Sequence, residues 1–587
     1  MDFSILVETF EKMEKTTSRL MLTDFLVDLF KKTPENIVQQ MVYLIQGKLG
    51  PDFIGLELGI ADKMVIKAIA NSSGLKLSDI NKIFSKTGDL GKTSEIALEN
   101  KTQTTLISED VSVERVYDIF NKISRSSGKG SQMTKIRLIS SLLNDSLPNE
   151  GKYIVKFLIG NLRLGIADYS LMDALAIAFT DNKSNRAVIE KAYNQISDLG
   201  EVANKLYKNG IKSLNTIRIE PLKPVRPMLA ERVLNPREAL ERGNNRVALE
   251  YKLDGERAQI HKKKDQVNLY SRSLENITSY YPELKKEFAN KIKNNSIILE
   301  GEIVPIGAEN NQIKPFQELM HRKRKHDIEK NLEKYPVSLF LFDVLYIDGD
   351  DVTDQSYLKR RKILENNLSN IETRKIRLIP NKIVSQEREI TDYLDTALKI
   401  GAEGLMVKQT ESVYRAGARE YAWMKLKKEY DADLVDTLDL VIIGALFGKG
   451  RRTGKYGALL LAIYDSDTDS FPSVCKVGTG FTDEVLETIY NELKKHILSH
   501  KHPRVSATPN MDVWFEPKIV LEIIGSEITL SPLHRAGLNS IKEGYGLAIR
   551  FPKFTGKIRS DKLPEQCTTT RELVEMYHEQ IKKREIS

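Results

Sequence analysis

A chain of 587 residues with 41% hydrophobic and 29% charged content reads as a soluble globular protein of roughly three to five domains. No apolar run reaches the roughly 18 residues of a membrane span, and MDFSILVETFEKMEK carries acids without a basic leader, so an intracellular protein with no membrane partner is expected. The two cysteines, Cys475 and Cys567, form no CxxC pair, which argues against a structural zinc site or a disulfide framework, and a net charge of +8 favours a polyanionic partner.

From Asp2 to about Ile217 apolar residues recur at helical spacing, as in FLVDLFKK and IVQQMVYLIQ, and Thr33-Pro34 suits a helix start. SRSSGKGSQ (124 to 132) and DNKSN (181 to 185) break the pattern, and no fixed-period repeat is evident. A proline-rich stretch, EPLKPVRPMLAERVLNP (220 to 236), reads as a linker. Short β-rich runs follow, among them RVALEYKLDG, QVNLYSRS, SIILEGEIV, VSLFLFDVLYIDG, EGLMVK and YAWMKLKK, interleaved with helical stretches such as TDYLDTALKIG. Beyond Tyr430, DLVIIGALFG, GALLLAIYD, SVCKVGTG and KIVLEIIG predict a small barrel, with an OB-fold one choice among small barrels, and RELVEMYHEQIKK predicts a final helix.

The middle region repeatedly places polar residues where a strand should be amphipathic. In EYKLDGERAQIH (250 to 261), alternation puts Glu250, Lys252 and Asp254 on one face and Leu249, Tyr251 and Leu253 on the other, before Gly255 breaks the run. An ion-paired strand edge, with Lys252 held by Asp254, is the bland reading. In LEGEIV, Glu300 and Glu302 share a face and suit a hard divalent cation; in WMKLKK, Lys425 and Lys427 share a face and suit a phosphate. FDVLY sets Phe342 beside Asp343, and EGLMVK is led by Glu403. A lysine attacks phosphorus only when neutral, and cations such as Lys425 and Lys427 would lower the pKa of Lys252 from about 10.4. With Arg257 and Arg272 to neutralise phosphate oxygens, Glu302 and Glu403 to hold a metal, and Phe342 to stack on a base, the set describes nucleotidyl transfer.

The series KLDGER (Lys252 to Arg257), SR (Ser271-Arg272), EGE (Glu300 to Glu302), FD (Phe342-Asp343), EGLMVK, WMKLKK and RFPKF…RSDK (Arg550 to Lys562) resembles the ordered motifs of ATP-dependent DNA ligases. GNLRLGIADYSLMDALA (160 to 176) resembles the helical DNA-binding domain of the archaeal and eukaryotic replicative type, and LDLVIIGALFGKGRRTGKYGALLLA (438 to 462) the start of its OB domain. The resemblance implies a multidomain fold: an all-α DNA-binding domain over 1–219, an α+β nucleotidyltransferase (adenylation) domain over 220–429, and a C-terminal β-barrel OB-fold with a C-terminal helix over 430–587. It implies that Lys252 is adenylylated, Glu250 accepts from the adenine amino group, and Phe342 stacks on the base. Arg257 and Arg272 would contact ribose and phosphates, Lys425 and Lys427 the α-phosphate, and Arg550 with the basic residues to Lys562 the pyrophosphate. Glu302 and Glu403 would organise sugar and Mg²⁺. From the residues themselves, Asp254 is read as orienting the nucleophile.

By the same resemblance the cofactors are ATP and Mg²⁺, the partner is nicked double-stranded DNA, and the duties are DNA replication, repair and recombination. Arg163 in GNLRLG and Arg451 and Arg452 in GKGRRTGKYG are the DNA-contacting candidates. A monomer is expected, cytoplasmic or nucleoid-associated, and nuclear in a eukaryote. A sliding clamp is a further candidate partner, although KTQTTLISED (101 to 110) offers Gln103 and Leu106 without an aromatic pair. A barrel that swings about a hinge near Glu429 to Asp433 would let pyrophosphate-facing and DNA-facing states alternate. The rivals are an RNA ligase or a capping-type nucleotidyltransferase, which share the lysine motif, and a non-catalytic nucleic-acid-binding protein. An NAD-dependent ligase is disfavoured by the shortage of cysteines.

Overall fold

The computed structural model describes residues 1–586 except 17, 103–108, 163, 308–311, 315–316, 323–331, 369–372, 428–436 and 449–454. Gln103, Leu106, Arg163, Arg451, Arg452 and the expected hinge at Glu429 to Asp433 therefore lie outside the described residues. The chain forms two compact units. One comprises Met1–Tyr193, Asp198–Ile217 and Lys495–Arg504; the other comprises Asn194–Ser197, Arg218–Lys494 and Val505–Ser587. Among the described residues no helix is long and apolar enough to cross a membrane.

The first unit is built of helices, from Phe3–Glu14 to Leu199–Asn209. Helix Val113–Arg125 shows the rule: Val113, Val116, Ile119, Phe120 and Ile123, spaced three and four apart, are the residues it buries. Its start is fixed by Ser112, whose hydroxyl accepts from the Arg115 amide at 3.1 Å. Thr33-Pro34 behaves differently from expectation. Thr33 ends helix Arg19–Lys32, and a single 3₁₀ turn, Glu35–Ile37, intervenes before Val38–Ile45. A proline supplies the right φ for a first turn but cannot by itself choose between the two helix types.

Among the described residues the second unit holds two sheets, a half-barrel and a two-stranded ribbon of Glu527–Ser531 with Gly546–Arg550. Its strands are β1 (Leu229–Val233), β2 (Val247–Lys252), β3 (Glu256–Lys263), β4 (Gln266–Ser271), β5 (Ser296–Pro305), β6 (Val337–Ile347), β7 (Ile376–Leu378), β8 (Asn381–Val384), β9 (Gly404–Gln409) and β10 (Arg419–Lys427). One sheet has the order β1-β10-β9-β2-β8 and the other β4-β3-β5-β6, with β7 and the short strand Asp350–Asp351 also beside β6. β1 falls inside the stretch read as a linker; among the described residues it is an edge strand that pairs only with β10, where the neighbouring prolines cost no ladder hydrogen bond. Leu249, Leu253, Leu405, Val407, Met424 and Leu426 form the apolar side of the first sheet, as the alternation requires.

Register decides what the other face carries. Lys252 and Lys427 lie on either side of Gly404, and Glu250 and Lys425 on either side of Met406. Residues directly opposite in antiparallel strands share a face, so three separate motifs meet in two adjacent rows. A Cβ on Gly404 would stand 2.2 Å from the Leu426 carbonyl oxygen, which explains why glycine follows Glu403 here.

Leu438–Phe447, Tyr456–Ala462, Phe471–Val477, Val520–Ile524 and Lys553–Ile558 pair antiparallel as a half-barrel. The C-terminal helix Thr570–Ile586 packs on that core through Leu573, Met576 and Tyr577, at i, i+3 and i+4. Burying such side chains contributes about 1.5–3 kcal/mol each, enough to hold the helix where its first turn faces the first sheet.

Candidate active site

Glu250, Lys252, Arg257, Arg272, Glu302 and Phe342 line one cleft of the second unit. Glu403, Lys425 and Lys427 complete it. At its centre the Lys252 Nζ is ion-paired with Glu403, on the loop just before β9. The Glu403 amide donates to the Lys252 carbonyl at 2.8 Å, which locks the two backbones together. Lys427 Nζ lies 3.7 Å from the same carboxylate, and Lys557 Nζ lies 3.9 Å from its other oxygen. Burial works to raise the Glu403 carboxyl, but the Lys252 and Lys427 ammoniums outweigh it and hold the group well below the usual carboxylate range.

Asp254, expected to orient Lys252, instead accepts from Lys557 at 3.1 Å. Its backbone lies beyond the end of β2, where strict alternation no longer applies. Glu300 and Glu302 also separate in role. Glu300 takes Arg257 at 2.8 Å and Gln259 at 3.2 Å, whereas Glu302 is buried near Lys252 with its carboxyl pushed up to about 8, chiefly by burial. Phe342 and Asp343 face opposite ways along β6, as neighbours in a strand must. Phe342 stands edge-on to Trp423, with centroids 6.0 Å apart, and Asp343 makes a buried two-point pair with Arg360 at 2.8 and 3.0 Å.

At the far end of the cleft Arg272 donates to Gln566 at 2.7 Å, Arg559 to Asp561 at 2.8 Å, and Lys562 is paired with Asp439. Burial pushes Arg272 down to about 10 and Lys562 to about 7, the latter against the pull of Asp439. Lys425 is matched by Glu572 of the C-terminal helix at 2.7 Å, and Arg419 reaches the same carboxylate at 3.1 Å. Arg550 is not part of the cleft. The register of its strand with Glu527–Ser531 sets it opposite Glu527, and that carboxylate takes its guanidinium at 2.7 Å.

Several participants escaped the sequence reading. Lys408 shares the face of Gly404 and Met406 on β9, a period-2 signal that was available, and its ammonium lies 2.7 Å from Glu250. Glu572 was signalled only by Thr569-x-x-Glu572, a capping box in which Glu572 accepts from the Thr569 amide at 2.8 Å. Asp439 and Tyr357 carried no local signal. A cleft of this kind, with cations converging on a half-buried lysine and aromatic and acidic groups at one end, suits a nucleoside polyphosphate.

Comparison with known proteins agrees. The family described as "DNA ligase N terminus" matches residues 2–176, "ATP dependent DNA ligase domain" residues 227–427, and "ATP dependent DNA ligase C terminal region" residues 452–562. A DNA ligase of Nitrosopumilus maritimus is 49% identical over 99% of both chains. DNA ligase 2 of Thermofilum pendens is 46% identical over 99% of this chain and 98% of that one. Among solved structures, the mycobacterial DNA ligase D complexed with ATP and MES is 24% identical, covers 58% of this chain and 97% of that chain, and has a TM-score of 0.35.

Proposed function

The chain belongs to the ATP-dependent DNA ligase family, and from that premise we propose that Lys252 is the residue that carries AMP. It is a DNA ligase of archaeal type, using ATP to form phosphodiester bonds. Relatives named DNA ligase over the whole length disfavour the RNA-ligase and capping-type alternative. The observation that carries the reading is the row Lys252, Gly404, Lys427, with Glu403 held between the two ammoniums.

In the first step the Lys252 amine, having given up a proton, forms a bond to the α-phosphorus of ATP as the bond to pyrophosphate breaks. Glu403 is the base in contact with that ammonium. Phosphate drawing Lys427 away would restore part of the basicity that Lys252 and Lys427 together suppress. AMP then passes to the 5′-phosphate of a nick, and the 3′-hydroxyl displaces it. The cations act by neutralising phosphoryl oxygens, since such transfers depend on positioning and charge. Glu250 would accept from the adenine amine, Phe342 stack on the ring, Arg257 and Arg272 meet ribose and phosphates, and Lys425 with Lys427 hold the α-phosphate. For pyrophosphate, Lys557, Arg559 and Lys562 replace Arg550, because they line the cleft or pair with residues that do.

The domains are taken as 1–219, 220–429 and 430–587, acting as a monomer on nicked duplex DNA through phosphate contacts at Arg163, Arg451 and Arg452. A sliding clamp would be sought at Gln103 and Leu106. The reading is tested by loading the protein with α-labelled ATP and chasing with nicked DNA or nicked RNA duplexes. Label that leaves the protein only as DNA is sealed supports it; discharge by RNA alone overturns it.

Glu572 occupies the cations that the α-phosphate requires, so it must leave before phosphate enters. Burial raises its carboxyl, yet Lys425 and Arg419 hold it far below the usual range, so it competes as an anion. Glu572→Gln keeps the cap but not the charge, and is expected to lower the KM for ATP in self-adenylylation about tenfold, the equivalent of one charge-assisted contact. An unchanged KM would show that this contact does not compete with the nucleotide.

Among the described residues no cluster of three or more metal-ligating side chains is present. Glu302 nevertheless fits a hard cation, being a carboxylate that burial pushes up to about 8 against the pull of Lys252 and Arg257. Glu302 and Glu403 would hold Mg²⁺, which when bound neutralises charge on phosphoryl oxygens. The sign of the pH effect follows. The folded carboxyl releases its proton near 8 while the unfolded one does so in the ordinary carboxylate range, so without cation stability falls as pH rises across that window. A cation must displace the same proton, so Mg²⁺-induced thermal stabilisation is expected to grow as pH rises toward about 8 and then level off. Glu302→Gln is expected to flatten that response, and a wild-type response independent of pH would contradict the assignment.

A further inference from the structure

The carboxylate of Glu250 is held on both oxygens by groups the mechanism has not used. Oε1 accepts from the Tyr357 hydroxyl at 2.5 Å and has Arg361 at 3.7 Å, while Oε2 faces the Lys408 ammonium at 2.7 Å. The Tyr357 hydroxyl is fixed in turn, because Asn381 Nδ2 donates to it at 2.7 Å. Burial, with Glu250 beside it, raises Tyr357 well above the usual phenol range, so the hydroxyl stays a donor. Tyr357 itself is fully buried at the start of helix Tyr357–Leu368, and that helix is pinned to β6 by the Arg360–Asp343 pair.

We propose that Tyr357 is a positioning residue for base selection: with Asn381 behind it, it fixes the rotamer of Glu250 so that the carboxylate is aimed at the 6-amino group of the purine. The inference rests on the reading of Glu250 as the adenine acceptor. A carboxylate offers about four lone-pair sites, so one fixed hydroxyl donor and one ammonium contact leave room for the amine while removing the freedom to swing away. An aimed acceptor welcomes the 6-amino group of adenine and repels the 6-oxo oxygen of hypoxanthine. A carboxylate free to rotate would lose that distinction before it lost binding altogether. Selectivity of this sort, in which a buried polar group is left facing the wrong partner, is the strong kind.

The test compares self-adenylylation by ATP with the corresponding reaction of inosine triphosphate, in the full chain and in Tyr357→Phe, Asn381→Ala and Glu250→Gln. Tyr357→Phe keeps the ring and its packing, and is expected to cut the ATP-over-inosine preference at least about tenfold, through KM for ATP rather than kcat. Asn381→Ala is expected to shift the preference in the same direction by less, and decides the matter if Tyr357→Phe does not fold. If Glu250→Gln erases the preference but Tyr357→Phe, or Asn381→Ala in its place, leaves it at the wild-type value, the positioning role is overturned and Glu250 keeps its part. If Glu250→Gln also leaves the preference untouched, the acceptor reading falls, and this inference with it.

Discussion

Lys252→Ala is expected to show no covalent AMP and no sealing from ATP, while a nick already carrying a 5′-adenylate is still closed. The first two steps need a nitrogen at this position, and the last needs only the bound nick, its 3′-hydroxyl and the surrounding cations. Loss of a nucleophile removes the route rather than slowing it, so the effect on the first step is the largest of any substitution. Lys252→Arg is expected to fail equally, because a guanidinium stays protonated and its delocalised nitrogens attack poorly. A structural role for Lys252, as a plain partner of Glu403, would predict the reverse: Arg rescuing much of the activity, and pre-adenylylated nicks closing as poorly as ATP-dependent ones.

The second large effect is expected at Lys427. It flanks Gly404 opposite Lys252 and touches the same carboxylate, so its charge lies beside the phosphorus that Lys252 must reach. Removing one preorganised charge from such a site costs on the order of 10²–10³ in rate, and Lys427→Ala is expected to lose this in the rate constant for adenylylation, with KM for ATP changed far less. Lys425→Ala is expected to lose less, because the ammonium it removes is already matched by Glu572 in the resting arrangement. Rapid-quench measurement of lysyl-AMP formation separates the two. Equal losses confined to KM would make both lysines simple binding residues.

The motifs were legible because strands convert spacing into direction. Lys425 and Lys427 had to share a face, and Glu250 and Lys252 likewise, whatever sheet they entered. What alternation cannot supply is register between strands. The placing of Gly404 between Lys252 and Lys427 comes from pairing, and it gives Lys252 a carboxylate partner where neighbouring cations were expected. Arg550 lies outside the cleft for the same reason: its own strand pairing turned it to Glu527. β1 was lost to a composition rule, since prolines read as a linker are tolerated on an edge strand. Glu572 lies 320 residues from Lys252 in sequence, and only tertiary packing of the last helix brings them to one cleft. The helical unit was the easiest to read, because helices such as Val113–Arg125 carry their own 3.6-residue stripe and need no distant partner to be recognised.

The central claim is that AMP is carried on Lys252. The most direct measurement is peptide mapping by mass spectrometry of the full chain after exposure to ATP and Mg²⁺, before and after addition of nicked duplex DNA. The account predicts AMP on the peptide containing Lys252, and its disappearance as nicks are sealed. AMP on another lysine, such as Lys427, or a Lys252 adenylate that nicked DNA does not discharge, would contradict it.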